Sequence, residues 1–414
     1  MLSAEPLVLV AGADDSYAMP LAVTLHSALS NLRDDCEPML CIIDGGISDD
    51  HKRALERTVY AVRPGSTLRW HEPDMAALGK LWVAGHVTAA AYCRLLVHDA
   101  VPEGIGRALY LDSDLLVEDD LAQLWTAPLD GRAVLGVQDY LIPYLGWPGG
   151  PAGFGPSHRA AGRPYFNSGV LVVDLDMWRR EAIPQRALHY LRKHEGELTF
   201  RDQEGLNAVL AGEVGLLDPR WNVSTSLLWL ERWPESPFKE RMRRSRDALL
   251  ADPGIWHFTG PSKPWHSGFT HPARDRWLRQ REKAGWPGSP VPGRADLVEW
   301  LEAQRLDDRE IAAVIPSGAS LLLVGDSCRL PVSVEGRRAL PFPEAGGVYA
   351  GNPEDDASAI RELGRVRRCG TRFIVFERSA FWWLDHYRDF ADHLRSTYSC
   401  VRESDRVMIF DLGA

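Results

Sequence analysis

Leu109-Tyr110-Leu111-Asp112-Ser113-Asp114-Leu115-Leu116-Val117 is the stretch on which the reading of this chain turns. A short apolar run ends abruptly on two carboxylates at i and i+2, then becomes apolar again. Apolar runs of this length are consistent with strands buried in a sheet flanked by helices. Open sheets of that kind place their ligands just beyond the carboxyl ends of their strands. Asp112 and Asp114 stand at such an end and offer oxygen ligands suited to a hard cation such as Mn²⁺ or Mg²⁺. An Asp that closes an apolar strand also carries a desolvation cost, which a cation relieves. A bare D-x-D is equally the mark of a solvated turn, so the rest of the chain has to decide between the two.

Outward from this stretch, short apolar runs alternate with segments of helical period. Strands are expected at residues 7–11 (LVLVA), 39–43 (MLCII), 67–70, 107–111 (RALYL), 165–175 (YFNSGVLVVDL) and 256–258. Helices are expected at 21–32, entered through Pro20, and at 48–62, 88–98 and 202–211, with another around Trp178. This is the rhythm of an α/β chain with a mostly parallel sheet. Residues 141–163 (LIPYLGWPGGPAGFGPSHRAAGR) are rich in Gly and Pro and are expected to form a long irregular loop, a lid or a wall of a binding cleft. Pro and Gly cluster again at 286–293 (WPGSPVPG), the expected boundary between a domain of residues 1–285 and one of residues 294–414. The second part has its own α/β pattern: helices at 295–315, 353–368 and 382–397, strands at 320–324, 372–376 and 406–410.

Composition narrows the function. The 414 residues are 45% hydrophobic and 25% charged, an ordinary globular balance for about two domains. The net charge of −10 argues against a nucleic-acid partner. The six cysteines form no C-x-x-C pair, and in a chain of this length they read as free thiols of a reducing compartment. The start, MLSAEPLVLVAGADD, lacks the basic segment, long apolar core and cleavage site of a signal peptide. No run approaches 18 apolar residues, so no membrane span is expected. The cytoplasm is the expected location. Only six of the 47 basic residues are lysine, so Lys263 in the run WHFTGPSKPW draws attention.

That run, residues 256–265, holds a second set of groups. His257 among apolar neighbours can complete a metal shell, Gly260 lets the backbone approach a phosphate, and Lys263 supplies a cation. A buried core histidine followed by a turn is the simpler reading. Asp14-Asp15-Ser16-Tyr17 follows the first strand, where a base and ribose could be read, yet Asp and Ser also favour helix caps. Asn167-Ser168-Gly169 and Asp202-Gln203-Glu204 could hold sugar hydroxyls, or could be caps and turns.

The sets ADDSY, AYCRL, LYLDSDLLV, FNSGVLVVDLDMW, DQEGLN and HFTGPSKPW, in this order, resemble the family-8 nucleotide-sugar glycosyltransferases, which include glycogenin and the bacterial lipopolysaccharide galactosyl- and glucosyltransferases. The resemblance spans roughly residues 6–270. It implies a GT-A type fold and a hexosyltransferase that moves a hexose from a UDP-sugar with retained configuration, assisted by Mn²⁺ or Mg²⁺. It further implies metal ligation by Asp112, Asp114 and His257, and diphosphate contacts from Gly260, Lys263 and His86. Gly12, Ala13, Asp14, Ser16, Tyr17 and Ser113 would lie along the nucleotide, and Arg94, Asn167, Ser168, Asp202 and Gln203 around the donor sugar. Asp202 or Gln203 would occupy the face opposite the leaving group. Since an amide is a poor nucleophile, Gln203 there favours front-face attack with the leaving phosphate as base. Gly12, Ser16 and Ser168 depart from the commoner Ala, Asn and Ala of that family.

The partners implied are a donor and an unidentified acceptor, whether small molecule, peptide or cell-envelope glycan. The contrasting reading is a catalytically silent nucleotide-sugar-binding scaffold whose C-terminal part mediates interactions. In that part, Gly325-Asp326-Ser327 after a strand suggests an esterase nucleophile, but Asp385-His386 and Asp392-His393 have the wrong spacing for its base. A cofactor-binding sheet is the other reading, and no G-x-G-x-x-G supports it. The aromatic run 381–387 (FWWLDHY) is expected to be core, or an interface for a homo-oligomer or a partner protein. This part looks similar to an α/β appendage of assorted bacterial glycosyltransferase chains.

Overall fold

A computed structural model describes residues 6–73, 89–147, 149–194, 202–232, 235–260, 263–267, 269–288, 297–325, 334, 337–345, 348–349, 353 and 355–413. The chain divides into two compact units, Met1–Glu195 with Phe200–Leu297, and Val298–Ala414 with Gly196–Thr199.

The first unit is built on β1 (Leu7–Ala13), β2 (Pro38–Asp44), β3 (Thr67–His71), β4 (Arg107–Leu111), β5 (Leu115–Val117), β6 (Val134–Gln138), β7 (Phe166–Asp174), β8 (Gly215–Leu216), β9 (Val223–Ser224) and β10 (Ile255–His257). Seven of these form one sheet in the order β3-β2-β1-β4-β7-β6-β8. Its pairings are parallel except where β7 runs antiparallel to both β4 and β6. The expected α/β architecture with a mostly parallel sheet is therefore what the chain forms. All seven residues of β1 are buried, as the central place of the strand demands. A second sheet, β5-β10-β9, stands apart from the first. The triplet Asp112-Ser113-Asp114 is thus the step by which the chain leaves one sheet and enters the other.

Helix Ala18–Asn31 secures that step. Eleven of its fourteen residues are buried, and two hydroxyls on it replace ladder partners for the emerging strand. Thr24 Oγ1 accepts from Leu115 N at 3.1 Å and donates to the Ser113 carbonyl at 2.9 Å. Ser27 Oγ accepts from Val117 N at 3.0 Å.

The second unit has a five-stranded sheet of β11 (Ser320–Val324), β12 (Arg338–Pro341), β15 (Phe373–Glu377), β16 (Ser399–Glu403) and β17 (Val407–Asp411), ordered β12-β11-β15-β17-β16, with the pair β13 (Glu344–Ala345) and β14 (Val348–Tyr349) beside it in sequence. Ile311, Ile315, Leu321, Val375 and Ile409 pack together in one buried cluster. Leu322, Ile374, Phe376, Leu363 and Phe390 build the other, with helices Asp356–Arg368 and Arg388–Thr397.

Several expectations change in detail. Within the expected helix at 88–98, residues 89–96 wind as a 3₁₀ helix, followed by a single α turn at Val97–Ala100. The expected helix at 382–397 breaks at Tyr387 into Trp382–His386 and Arg388–Thr397. The Gly/Pro loop at 141–163 is irregular but anchored: Ile142, Leu145 and Ala160 are buried, and Leu145 N and Gly146 N bond back to Arg163 O and Ala161 O. In the aromatic run Trp383 is core, whereas Trp382 is 46% exposed. Asp326 and Ser327 of the expected esterase turn lie outside the described residues.

Candidate active site

Three ligand-bearing side chains converge at the seam between the sheets. β10 pairs antiparallel with β5, which sets His257 opposite Leu115, one residue past Asp114. On the large-sheet side, Asp112 N donates to Gly169 O at 2.8 Å, continuing the β4–β7 ladder. On the small-sheet side, Phe258 N donates to Asp114 O at 3.1 Å. Asp112, Asp114 and His257 thereby present ligand atoms all within 4.8 Å of one another. His257 Nε2 lies 3.3 Å from Asp114 Oδ1 and 3.7 Å from Asp112 Oδ2. Its Nδ1 faces the Asn222 amide oxygen at 2.9 Å. Two carboxylates and an imidazole whose other nitrogen is engaged form a donor set that fits Mn²⁺ or Mg²⁺.

Gly169 makes this convergence sterically feasible. A Cβ there would stand 2.3 Å from His257 Cε1 and 2.8 Å from Asp112 Oδ2. The segment is pushed into place by an irregularity in the sheet. Between Gly136 and Val137 of β6 the partner jumps from Leu171 to Asn167, so residues 168–170 leave that ladder. Such bulges re-aim side chains next to active sites.

Two buried cations flank the carboxylates. Arg94 Nη2 donates to Asp112 Oδ1 at 3.0 Å, its Nε lies 2.7 Å from Asp202 Oδ2, and its Nη1 bonds Ser168 Oγ. Its guanidinium also sits 5.5 Å from the Tyr110 ring, and Tyr110 OH donates to Asp112 Oδ1 at 2.9 Å. Lys263 Nζ lies 2.6 Å from Asp114 Oδ2 and donates to Phe258 O at 2.7 Å. Burial raises the Asp114 carboxyl, but Lys263 and His257 outweigh it and hold the group far below the ordinary carboxylate range. Burial raises Asp202 to about 6, with the Asp112 charge adding to it, despite the Arg94 contact. One guanidinium serves two carboxylates here.

The polar set expected around the donor sugar assembles as a unit. Gln203 Oε1 accepts from Ser168 N at 3.0 Å and Ser168 Oγ at 3.2 Å, while its Nε2 lies 3.2 Å from Asp139 Oδ2 and 3.3 Å from Tyr165 OH. Both ends of the amide are thus engaged by the protein. The residues expected at the nucleotide end lie along the carboxyl end of β1. Asp14 Oδ1 accepts from Ser16 Oγ at 2.6 Å and Tyr17 N at 3.1 Å, so the cap reading of this stretch is realised. Tyr17 packs edge-on against Trp265 at 5.8 Å. Ser113 is buried and donates to Gly12 O at 2.6 Å, which directs its hydroxyl to the backbone of β1. Ala13 is fully buried. Gly12 allows close approach, since a Cβ would meet Cys93 Sγ at 2.4 Å, and Cys93 adjoins Arg94 on the 3₁₀ helix. Gly260 has φ +88°, a conformation that suits glycine. His86 lies outside the described residues.

Sequence reasoning assigned no role to Asp139, Asn222, Tyr110 or Tyr165, all of which bond to the assembled set. Asp139 at a strand end and Asn222 before β9 carry the only local hints, and both types are commonplace in such positions.

Residues 8–268, the bulk of the first unit, match the model described as Glycosyl transferase family 8. General stress protein A of Bacillus subtilis (strain 168) is 31% identical over 285 residues, covering 68% of this chain and 95% of that protein. The lipopolysaccharide 1,2-glucosyltransferase of Escherichia coli (strain K12) is 24% identical over 220 residues, covering 51% of this chain and 59% of that one. A crystal structure of the galactosyltransferase LgtC, in complex with donor and acceptor sugar analogs, matches with a TM-score of 0.55 at 25% identity, over 69% of this chain and 98% of that chain. Its likeness gives the first unit the GT-A type fold that the motifs implied. With its carboxylate seam, its histidine and the match over most of that unit, the chain belongs to glycosyl transferase family 8 and is a glycosyltransferase.

Proposed function

We propose that the first unit transfers a hexose from a UDP-sugar to an acceptor with retention of anomeric configuration, in a reaction that depends on a divalent cation. The observation that carries this reading is the convergence of Asp112, Asp114 and His257 beside the buried Lys263 ammonium. A Mn²⁺ or Mg²⁺ ion held by the three would supply Lewis-acid neutralisation of the charge that develops on the leaving diphosphate. Lys263 adds a fixed positive charge on the same side, in a site dry enough for that charge to count. Arg94 holds Asp112, Asp202 and Ser168 in register, and Asn167, Ser168 and Gln203 are assigned to the surroundings of the donor sugar. Gly12, Ala13, Asp14, Ser16 and Tyr17 are assigned to the nucleoside, and Gly260 to the diphosphate.

Retention requires a double displacement or attack from the leaving-group face. Gln203 Oε1 already accepts from Ser168 N and Oγ, which weakens it further as a nucleophile. Asp202 is paired with Arg94, which withdraws it from that part as well. Front-face attack, with the leaving phosphate taking the acceptor proton, is therefore the preferred route. The second unit is assigned an accessory role. No described helix is long and apolar enough to cross a membrane.

The test is a panel of UDP-sugars incubated with the full chain and Mn²⁺, with release of UDP followed by mass spectrometry. Turnover of a UDP-hexose that Asp112→Asn lowers by about 10²–10³-fold, the usual cost of one charge-stabilising contact, supports the reading. Full activity of Asp112→Asn at saturating metal would overturn it.

A further inference from the structure

His257 is useful as a metal ligand only if Nε2 carries a lone pair, and the reason it does so begins far from the ring. Asp139, just after β6, is buried and fully engaged. Its Oδ1 accepts the backbone N–H groups of Leu141 and Ile142 at 2.8 and 2.9 Å. Its Oδ2 accepts from Asn167 Nδ2 at 3.1 Å and Gln203 Nε2 at 3.2 Å. A carboxylate can only accept, so both amides must turn their NH₂ groups toward it. Asn167 Oδ1 is then left to accept from Gly169 N at 3.0 Å and from Asn222 Nδ2 at 2.9 Å. That donation turns Asn222 Oδ1 toward His257 Nδ1 at 2.9 Å. An amide oxygen accepts, so the ring keeps a proton on Nδ1, and Nε2, turned toward Asp112 and Asp114, is the nitrogen left to give up its proton and take the metal. Each link has one permitted direction, because reversing any of them sets donor against donor or acceptor against acceptor.

We propose that Asp139, acting through Asn167 and Asn222, is the positioning group that fixes the Nδ1–H tautomer of His257 and so reserves Nε2 for the metal. Asp139 and Asn222 touch neither metal nor donor in this scheme; they act through the residues that do. The proposal rests on the metal-dependent reading above. The same carboxylate also orients Gln203, whose oxygen is thereby turned to Ser168 N. One buried charge thus sets the polarity of both the metal side and the sugar side.

The experiment uses the full chain, metal-stripped and labelled with ¹⁵N-histidine. Long-range ¹H–¹⁵N correlation reports the tautomer of His257, identified by its loss in His257→Gln, and quenching of the free Mn²⁺ electron paramagnetic signal reports affinity. The unsubstituted chain is expected to show a protonated Nδ1. Asn222→Leu removes the acceptor and should lose that pattern while weakening Mn²⁺ binding by about 10–100-fold, as loss of such a supporting hydrogen bond does. Asn222→Asp keeps an acceptor for Nδ1 but loses the donor to Asn167 Oδ1, so it should keep the protonated Nδ1 while recovering only part of the affinity. The near-isosteric Asp139→Asn removes the enforced direction two amides away and should give mixed tautomers. It carries the test if Asn222→Leu does not fold. An unaltered pattern in Asn222→Leu or in Asp139→Asn overturns the proposal, as does its absence from the unsubstituted chain. If the pattern behaves as stated but no Mn²⁺ is bound, the metal-dependent reading falls and the tautomer assignment stands.

Discussion

A single methyl group at position 169 is the smallest change that tests the site. The Cβ of Gly169→Ala would meet His257 Cε1 and Asp112 Oδ2 well inside van der Waals contact, so one or both ligands must retreat. The expected result is a fall in Mn²⁺ affinity of about 10–100-fold, with turnover falling alongside. The fold should survive, since forcing one methylene into a packed site costs typically about 1–3 kcal/mol. Titration with Mn²⁺ beside a thermal melt checks both halves, and unchanged affinity would refute the argument. At this scale the sequence was legible wherever a residue type is rare in its setting. Asp112 and Asp114 closing an apolar strand, and Lys263 as one of six lysines, announced themselves. Asp139 and Asn222 did not, because their partners lie 28, 55 and 35 positions away and only the fold brings them together.

Among the elements, the strand-and-turn segment from β10 to residue 271 is held by rings, and one of them titrates. His271 packs against Trp256 at 5.0 Å, Phe258 at 5.3 Å and Phe269 at 5.7 Å. Burial lowers His271 from the ordinary 6.5 to about 4. The fold accepts the neutral ring, so the unfolded chain takes up the extra proton as pH falls between those values. Its contribution is therefore fully present above pH 6.5 and is lost on the way down through about 4, at most about 3 kcal/mol. His271→Phe should flatten this fall in urea melts between pH 7.5 and 4.5, while costing about 1 kcal/mol at the upper pH through the lost bond from Ala273 N. An equally steep fall in the variant would refute it. The same segment shows what was readable among the elements. The apolar runs of β1, β2, β4 and β7 were plain, because burial on both faces leaves few polar interruptions. The break at Tyr387 was not, since no Gly or Pro marks it; the Tyr387 hydroxyl bonding to Pro353 O comes from tertiary structure. Likewise no signal in the sequence distinguishes the 3₁₀ winding at residues 89–96 from an α-helix.

Each of the two units has its own buried clusters, and the thermodynamics should show the division. With separate clusters in each unit, calorimetry is expected to resolve two unfolding transitions instead of one. Mn²⁺ with UDP should raise only the transition of the first unit, by about 2.7 kcal/mol at a hundred times the dissociation constant. A shift of both transitions together, or of neither, would contradict the assignment of donor binding to that unit. On the proposed reading, the −10 balance also means that an anionic donor would be drawn in by Lys263, Arg94 and the cation, against the field of the chain at large. The division of the carboxylates between sheets has a last consequence. Asp112 belongs to the ladder of the large sheet and Asp114 to that of the small one. On the metal-dependent reading, a chain that has formed either sheet but has not docked them owns only part of the metal site. On that reading, competence to bind the donor's counter-ion is a receipt for finished assembly, and an ion held there would also clasp the seam.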